Sequence, residues 1–592
     1  MIFNDYYKKE LIALRRDGSA FSKKNPGLSS YLSKEGQDPD VERLLEGFSF
    51  LTGRLQQRLD QELPEVAHTL VELLWPNYTR PMPSFSIIQF DSVNDSTTNT
   101  YVKKDTEVLS KIKPDAIQCK FKTVYDTLVM PFDLNTVNYY VHGKKSTLEL
   151  NMKMTASGNL NDLIFNNLRI YLSGSKFVSQ DLYLYLTRFI ESIEITINDE
   201  NKRKISNLNI PKNSIKSIGF DSSESMLPQP LSIFDGYKLL QDFFCFKDKF
   251  LFVDILNLNK ISSLDSEVLS KSNSFTIKIN FSKKMSKSNQ QPTKENLSLY
   301  CTPIVNLFEA DSVPIRKNLE YSEFLVLPAD LDKNHSEVFS IEQVRGWISR
   351  KNAYRNYLPF ESFEHLDDDN EYYSARTKLS NDGERTNTYL RFSSAIDTED
   401  TISTINSTVS VKILCTNKDI PSSLFLGDIC ISNTLSNTGT LSFRNITIPT
   451  VSYPPPISGD FLWRIISNMS LNYLSLNDIK TFRTILETYD FFGAYDVKQR
   501  DKTSMILKGI ESISYETTEM IDKGFPIRGM HVKLEIDPTK FSCLGEAYLF
   551  CSVLNEFFAL YSNINSFHKL SVDIQNEELF MWKPKMGSIE LI

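Results

Sequence analysis

The spacing of apolar residues changes character near Pro83. Up to that point they recur at three- and four-residue steps, the signature of one face of a helix. Leu11, Leu14 and Phe21 follow Tyr7 at such steps with Gly18 between, and Asn25-Pro26-Gly27 stops the helix they predict. Asp38 then stands as an N-cap, with Pro39 at the first helical position, where its fixed φ and missing N–H cost nothing. Val41, Leu44, Leu45, Phe48, Leu51, Leu55 and Leu59 form the stripe of a long second helix. At ~100° per residue they fall within about 120°, the width of an ordinary buried face. Pro64 opens a third helix with Val66, Leu70, Leu73 and Leu74 inward. Trp75-Pro76 closes it, and Pro81 and Pro83 mark a boundary.

From Ser84 the period falls to two, which puts alternate side chains on one face of a strand. The clearest alternations are Leu148-Leu150-Met152-Met154, Ile193-Ile195-Ile197, Phe275-Ile277-Ile279-Phe281, Val409-Val411-Ile413-Cys415 and Val532-Leu534-Ile536. Helices are expected between them at Val178 to Ile190, Tyr237 to Phe244, Asp478 to Leu486 and Ala547 to Tyr561. The run Gly236 to Asp254 reads as an amphipathic helix, a turn at Lys247-Asp248 and a buried strand. Pro303 and the triplet Pro454-Pro455-Pro456 read as strand terminators or linker stiffeners.

Strands and helices do not alternate as βαβ units would. The expected fold class is therefore α+β, with a helical N-terminal region followed by several antiparallel β-rich modules with inserted helices. The expected units are 1–83, helical; 84–260, β-rich with helices; 261–450, β-rich with long loops; and 451–592, α+β. The polar run Ser282 to Asn296 reads as a long hairpin tip or insertion. Leu366 to Glu371 reads as an acidic turn, without the alternating ligands and central glycine of a calcium loop.

Composition narrows the function classes. A chain of 592 residues, 41% hydrophobic and 24% charged, buries enough surface to need no staples. Its formal net charge of -8 and scattered lysine pairs offer no basic footprint for nucleic acid. The N-terminus has no apolar signal-peptide core, and no run approaches the ~18 apolar residues of a spanning helix, so no membrane insertion is expected. Seven cysteines with no CxxC pair read as free thiols of a reducing cytoplasm. Aromatic residues reach 12%, and aromatics dominate both core and interface energetics.

The search for chemistry returns nothing. The six histidines (His68, His142, His335, His365, His531, His568) are never closer than 30 residues apart, and HExxH is absent. No GxG occurs, and Gly524 and Gly529 have Walker-like spacing but are followed by Met530-His531 where Lys and Ser/Thr are needed. GxSxG is missing. Cys543 with His531 and His568 would make a nucleophile and bases, but no signature surrounds the cysteine and a buried structural thiol is the simpler reading. No catalytic residue, cofactor or metal is assigned.

A resemblance then takes over. Tyr6 to Leu28 (YYKKELIALRRDGSAFSKKNPGL), Asp38 to Leu55 (DPDVERLLEGFSFLTGRL) and Leu73 to Phe90 (LLWPNYTRPMPSFSIIQF) resemble the opening of the TssF family, also called VasA or ImpG. Further family-like runs are Gly236 to Asp254, Cys301 to Glu309, Phe461 to Leu476, Arg528 to Asp537 and Phe557 to Leu570. Ala310 to Pro449 carries none. The resemblance implies a structural, non-enzymatic subunit of the type VI secretion baseplate wedge. In that family a pair of copies joins one TssG, TssK and TssE attach, and wedges gather around the VgrG spike. The assembly docks on the membrane complex at the cytoplasmic face of the inner membrane and initiates sheath and tube polymerisation. A β-rich cytoplasmic enzyme or carbohydrate-binding protein is the alternative reading.

Within the second helix Phe50 points about 180° from Val41. It lies near Arg54 on the back face, with Gly47 and Gly53 three residues to either side. Those glycines weaken a helix by ~1 kcal/mol each, so close approach by another backbone is a reason for them. Phe50, Gly47, Gly53 and Arg54 are thus the candidate protein-interaction residues. Phe50 packs either on its own chain or on TssG or a second copy in a helical bundle.

Overall fold

The computed structural model describes residues 7–8, 10–16, 39–62, 71–72, 75–92, 99–112, 117–155, 159–162, 166–199, 204–228, 235–285, 291–318, 321–348, 353–360, 371–380, 385–394, 408–432, 441–457, 478–522, 524–559, 562, 565–575 and 578–587. The chain is β-rich and multi-domain, with its strands gathered into several sheets. One six-stranded sheet organises the first two thirds. Its order is Ile429–Ile431, Glu107–Ser110, Lys120–Thr123, Cys301–Val305, Phe85–Phe90 and Phe443–Asn445. Ile88 pairs with Asn445, so the sheet draws its strands from segments as far apart as residues 85 and 445, and the modules between them are excursions from it.

Pro303 does not terminate a strand here. It lies inside Cys301–Val305, paired with Ile87, and its carbonyl accepts from the Val124 N–H at 2.9 Å. Its nitrogen therefore faces the side where the ladder to Lys120–Thr123 is already ending, and the missing donor breaks nothing.

The first excursion is a five-stranded sheet in the order Lys204–Ile210, Ile190–Asp199, Ser272–Phe281, Lys145–Met154 and Phe132–His142. Three of the expected alternations lie side by side in it. Ile277 sits opposite Leu150 on one flank and Ile195 on the other, and all three are buried. Sheet membership thus runs across the boundary expected at 260. The expected helices appear as Lys176–Arg188 and Asp235–Cys245, the latter followed by a 3-10 turn, Lys247–Phe250, and the fully buried strand Phe252–Ile255.

A second core belongs to residues 308 to 415. Strands Phe308–Asp311, Thr408–Thr416, Glu337–Ile348, Ala353–Pro359, Glu371–Leu379, Thr386–Ser394 and Phe324–Leu325 follow one another, and the sheet closes on itself. Val326 N–H donates to Thr388, while Val313 N–H donates to Leu327 at 2.7 Å and Ala329 N–H to Asp311 at 2.9 Å. Where the chain enters and leaves this barrel, Asn306 and Asn417 are tied to each other by hydrogen bonds of 2.7 and 2.8 Å. The acidic run expected as a turn lies outside the described residues except Glu371, which opens a strand.

The C-terminal module corrects the all-antiparallel expectation. Phe525–Ile536 and Phe567–Ile574 run parallel, joined by the helix Leu544–Ala559. A parallel connection needs a crossover, and this helix supplies it, buried everywhere except Leu544 and Glu556. Its Gly545 packs against the backbone at Gln180 and Asp181, where no Cβ would fit. At the other end of the chain, the described part of the expected helical region is led by the helix Pro39–Glu62. Asp38 and most of the expected third helix lie outside the described residues.

Candidate functional site

The helix Pro39–Glu62 runs for 24 residues, about 36 Å. Its faces do not divide as the apolar stripe predicts. Ser49 and Gly53 are buried, with Leu45 and Thr52 half-buried beside them. Leu44, Phe48 and Leu51 are 73%, 56% and 66% exposed. These three lie about 100–160° around the helix from Ser49. The chain buries the ridge of small side chains and turns the bulky ones outward. Small residues at four-residue steps let a helix approach its own neighbour closely, which Leu and Phe at the same positions would prevent. The Ser49 hydroxyl donates back to the Leu45 carbonyl at 2.6 Å, so its polar atom is satisfied inside the helix.

The candidates on the back face are distributed rather than gathered. Phe50 is half-exposed at 44%, and Arg54 is exposed. Gly53 belongs to the buried ridge. Gly47 is exposed, and a Cβ added there would meet nothing within 4 Å among the described residues, so no described backbone approaches it. The residues that sequence reasoning assigned to the core, Leu44, Phe48 and Leu51, are the ones that form an outward apolar face. The usable signal was Ser49 and Gly53 at i and i+4, a ridge competing with the stripe for the inner side.

The candidate chemistry is dispersed. Cys543 donates to the Gln180 side chain at 3.5 Å, and burial pushes its thiol up to about 12. Such a thiol supplies no thiolate near neutral pH. His531 Nε2 bonds the Ser571 hydroxyl at 2.8 Å. His568 is fully buried against Phe558, and among the described residues neither of its ring nitrogens has a hydrogen-bond partner. Burial pulls its pKa down to about 3. No hydrogen bond given by the structure joins Cys543 to either histidine.

Two charge pairs taken out of water serve the fold. Lys249 and Asp242 form an ion pair with side chains 1% and 4% exposed. Arg169 grips both oxygens of Asp254 at 2.8 and 3.0 Å and covers the Tyr125 ring. Each is a closed pair, with no open ligand position. Among the described residues no group of His, Cys, Asp and Glu could hold a metal ion, and no helix is long and apolar enough to cross a membrane.

Comparison with known proteins gives the remaining geometry a context. The family model described as "Type VI secretion system, TssF" matches residues 2–589. The type VI secretion system component TssF1 of Pseudomonas aeruginosa is 26% identical, over 99% of this chain and 98% of that protein. Among solved structures, a chain of the TssK-TssF-TssG baseplate subcomplex, determined by cryo-electron microscopy, superposes with a TM-score of 0.75 at 27% identity. The match covers 92% of this chain and 99% of the other. A chain of the baseplate complex from the type VI secretion system shares the fold, with a TM-score of 0.64 at 22% identity over 99% of this chain. The match to the family model spans nearly every residue, and the chain belongs to the TssF family of the type VI secretion system.

Proposed function

We propose that this chain is a structural, non-catalytic subunit of the type VI secretion baseplate wedge, and that the outward apolar face of Pro39–Glu62 is where it joins its partners. The observation that carries this is the exposed trio Leu44, Phe48 and Leu51 on a helix whose small-residue ridge is already satisfied. Large apolar side chains gathered on one exposed face mark an interaction site. The partners are TssG together with a second copy of this chain in a helical bundle, with Phe50, Gly47 and Arg54 at its margins and Gly53 left to the buried ridge. TssK and TssE attach to the resulting wedge, and wedges surround the VgrG spike. The assembly works on the cytoplasmic side of the inner membrane, where it docks on the membrane complex and starts sheath and tube growth.

Support comes from the 0.75 TM-score to a chain of a TssK-TssF-TssG subcomplex and from buried charges locked in closed pairs. The test is co-purification with TssG. The triple variant Leu44→Ser/Phe48→Ser/Leu51→Ser should lose TssG while its own fold persists. Undiminished TssG capture by that variant would move the interface elsewhere on the chain.

A further inference from the structure

The long C-terminal hairpin ends in a ribbon that its own sheet leaves half uncovered. Its first strand, Ile510–Asp522, is an edge: among the described residues it pairs only with Phe525–Ile536. That second strand is in turn covered by Phe567–Ile574 only from Gly529 onward. Thirteen residues is about twice the usual strand length, and a two-stranded ribbon on its own is marginal in water. The near end is closed off, because the Arg483 guanidinium donates to the Ile510 carbonyl at 2.5 Å. At the far end Ile521 and Phe525 are 79% and 73% exposed.

Proteins ordinarily blunt such an edge with charged side chains, lysine above all, with proline or with a bulge. Between Glu516 and Asp522 the strand has no lysine, proline or bulge, its register shift lying back at Ile510/Ser512, and the charge that guards it is wholly acidic, which bars a neutral or acidic strand and admits a basic one. It carries three carboxylates, Glu516, Glu519 and Asp522, and no base. Glu516 takes Lys533 at 2.6 Å and Glu519 takes Arg528 at 3.1 Å from the second strand, yet both remain more than half exposed. The molecule shows elsewhere that an exposed strand carboxylate can hold two cations at once. Glu309, on the strand Phe308–Asp311, takes Lys412 of its neighbouring strand at 2.7 Å. It also takes Lys122 of the six-stranded sheet at 3.1 Å.

We propose that the edge Glu516–Asp522 is a docking site for a β-strand of another protein, which extends the ribbon by backbone hydrogen bonds and brings Lys or Arg to Glu516 and Glu519. The two acids are three residues apart, so they project from opposite faces. The incoming strand therefore carries basic residues three apart, with an apolar side chain facing Ile521. Backbone bonding supplies the affinity and these side chains the choice of partner. The same edge of a second copy is the wrong partner, since carboxylates would face carboxylates. Nucleic acid and anionic membrane find no basic excess here, since Lys533 and Arg528 are matched by Glu516 and Glu519.

The test uses the full chain and hydrogen–deuterium exchange of residues 516–522. The probe is a nine-residue peptide with two lysines three apart among valine and threonine, and the control carries glutamate in their place. At four times its dissociation constant the lysine peptide should slow exchange about fivefold, and the glutamate peptide should not. The exposed swap Glu516→Lys/Glu519→Lys should reverse the preference, with its melting curve checking the fold. The helix-face triple variant should behave as wild type, which separates this site from the wedge interface. Four results would overturn the proposal: no slowing with either peptide, equal slowing with both, slowing confined to other segments, or protection that grows with protein concentration alone.

Discussion

The helices Pro39–Glu62 and Leu544–Ala559 use similar residues to opposite ends. The C-terminal helix is apolar all round and buried all round, crossing between parallel strands with Phe550, Phe557 and Phe558 fully inside. The N-terminal helix buries Ser49 and Gly53 and leaves Leu44, Phe48 and Leu51 in water. A helix of the first kind is held by its own chain, whereas one of the second kind is, on the proposed function, half of a contact. Apolar content alone therefore does not separate core from interface; what separates them is which side chains the chain chooses to cover.

The sharpest way to break the comparison is to truncate one aromatic from each helix. Phe558 lies between Phe482 at 5.5 Å and Tyr515 at 6.4 Å. Phe558→Ala should cost about 3–5 kcal/mol in denaturation of the isolated chain. Phe48→Ala, at a site 56% exposed, should change it by no more than about 0.5 kcal/mol. Equal losses would mean that the N-terminal helix is packed on its own chain after all.

The converse measurement reads the partner. Leu51→Ser should weaken TssG binding by ~2 kcal/mol or more, as the centre of an interface does. Phe50→Ser, at a half-exposed margin, should cost less. A larger effect at Phe50 than at Leu51 would shift the interface to the back face of the helix.

Acid probes the C-terminal region through one histidine. Burial, with smaller repulsion from Lys585 and from His531 when that ring is protonated, keeps the His568 imidazole neutral, with a pKa of about 3. Between about pH 6.5 and 3 the unfolded chain binds a proton that the folded chain refuses. This group's stabilisation is complete above pH 6.5 and is lost as pH falls, by about 1.4 kcal/mol at pH 5.5. Across the same range His568→Leu should flatten the pH dependence of C-terminal unfolding. A slope unchanged by the variant would assign the acid sensitivity to other groups.

The regular strands were legible because one face of each is buried. Leu150, Ile277 and Ile195, read separately as alternations, turned out to be cross-strand neighbours. The helix Asp235–Cys245, its turn and the strand after it were legible for the same reason. The barrel around Phe308 to Cys415 was not, since its closure depends on short irregular pairings such as Ser312 with Pro328, which leave no period in the sequence. The parallel crossover was hidden because Leu544–Ala559 is apolar on every side and shows no face. In the N-terminal helix the stripe was read correctly as apolar and placed on the wrong side, because periodicity records that a face is buried and not by which chain.

Two glycines give the finest version of the comparison. Gly545 opens the C-terminal helix against the backbone of Gln180 and Asp181, where a Cβ would collide, so Gly545→Ala should destabilise the chain. Gly47 sits inside the N-terminal helix with nothing within 4 Å of where its Cβ would be. Glycine costs a helix interior ~1 kcal/mol relative to alanine, so Gly47→Ala should stabilise the isolated chain by about that amount. Such a glycine weakens its own helix and meets no described neighbour. If a partner backbone comes close there, the same alanine that raises the melting temperature should lower affinity for TssG, and the two effects will have opposite signs. Gains in both would make Gly47 a tolerated defect and confine the interface to Leu44, Phe48 and Leu51.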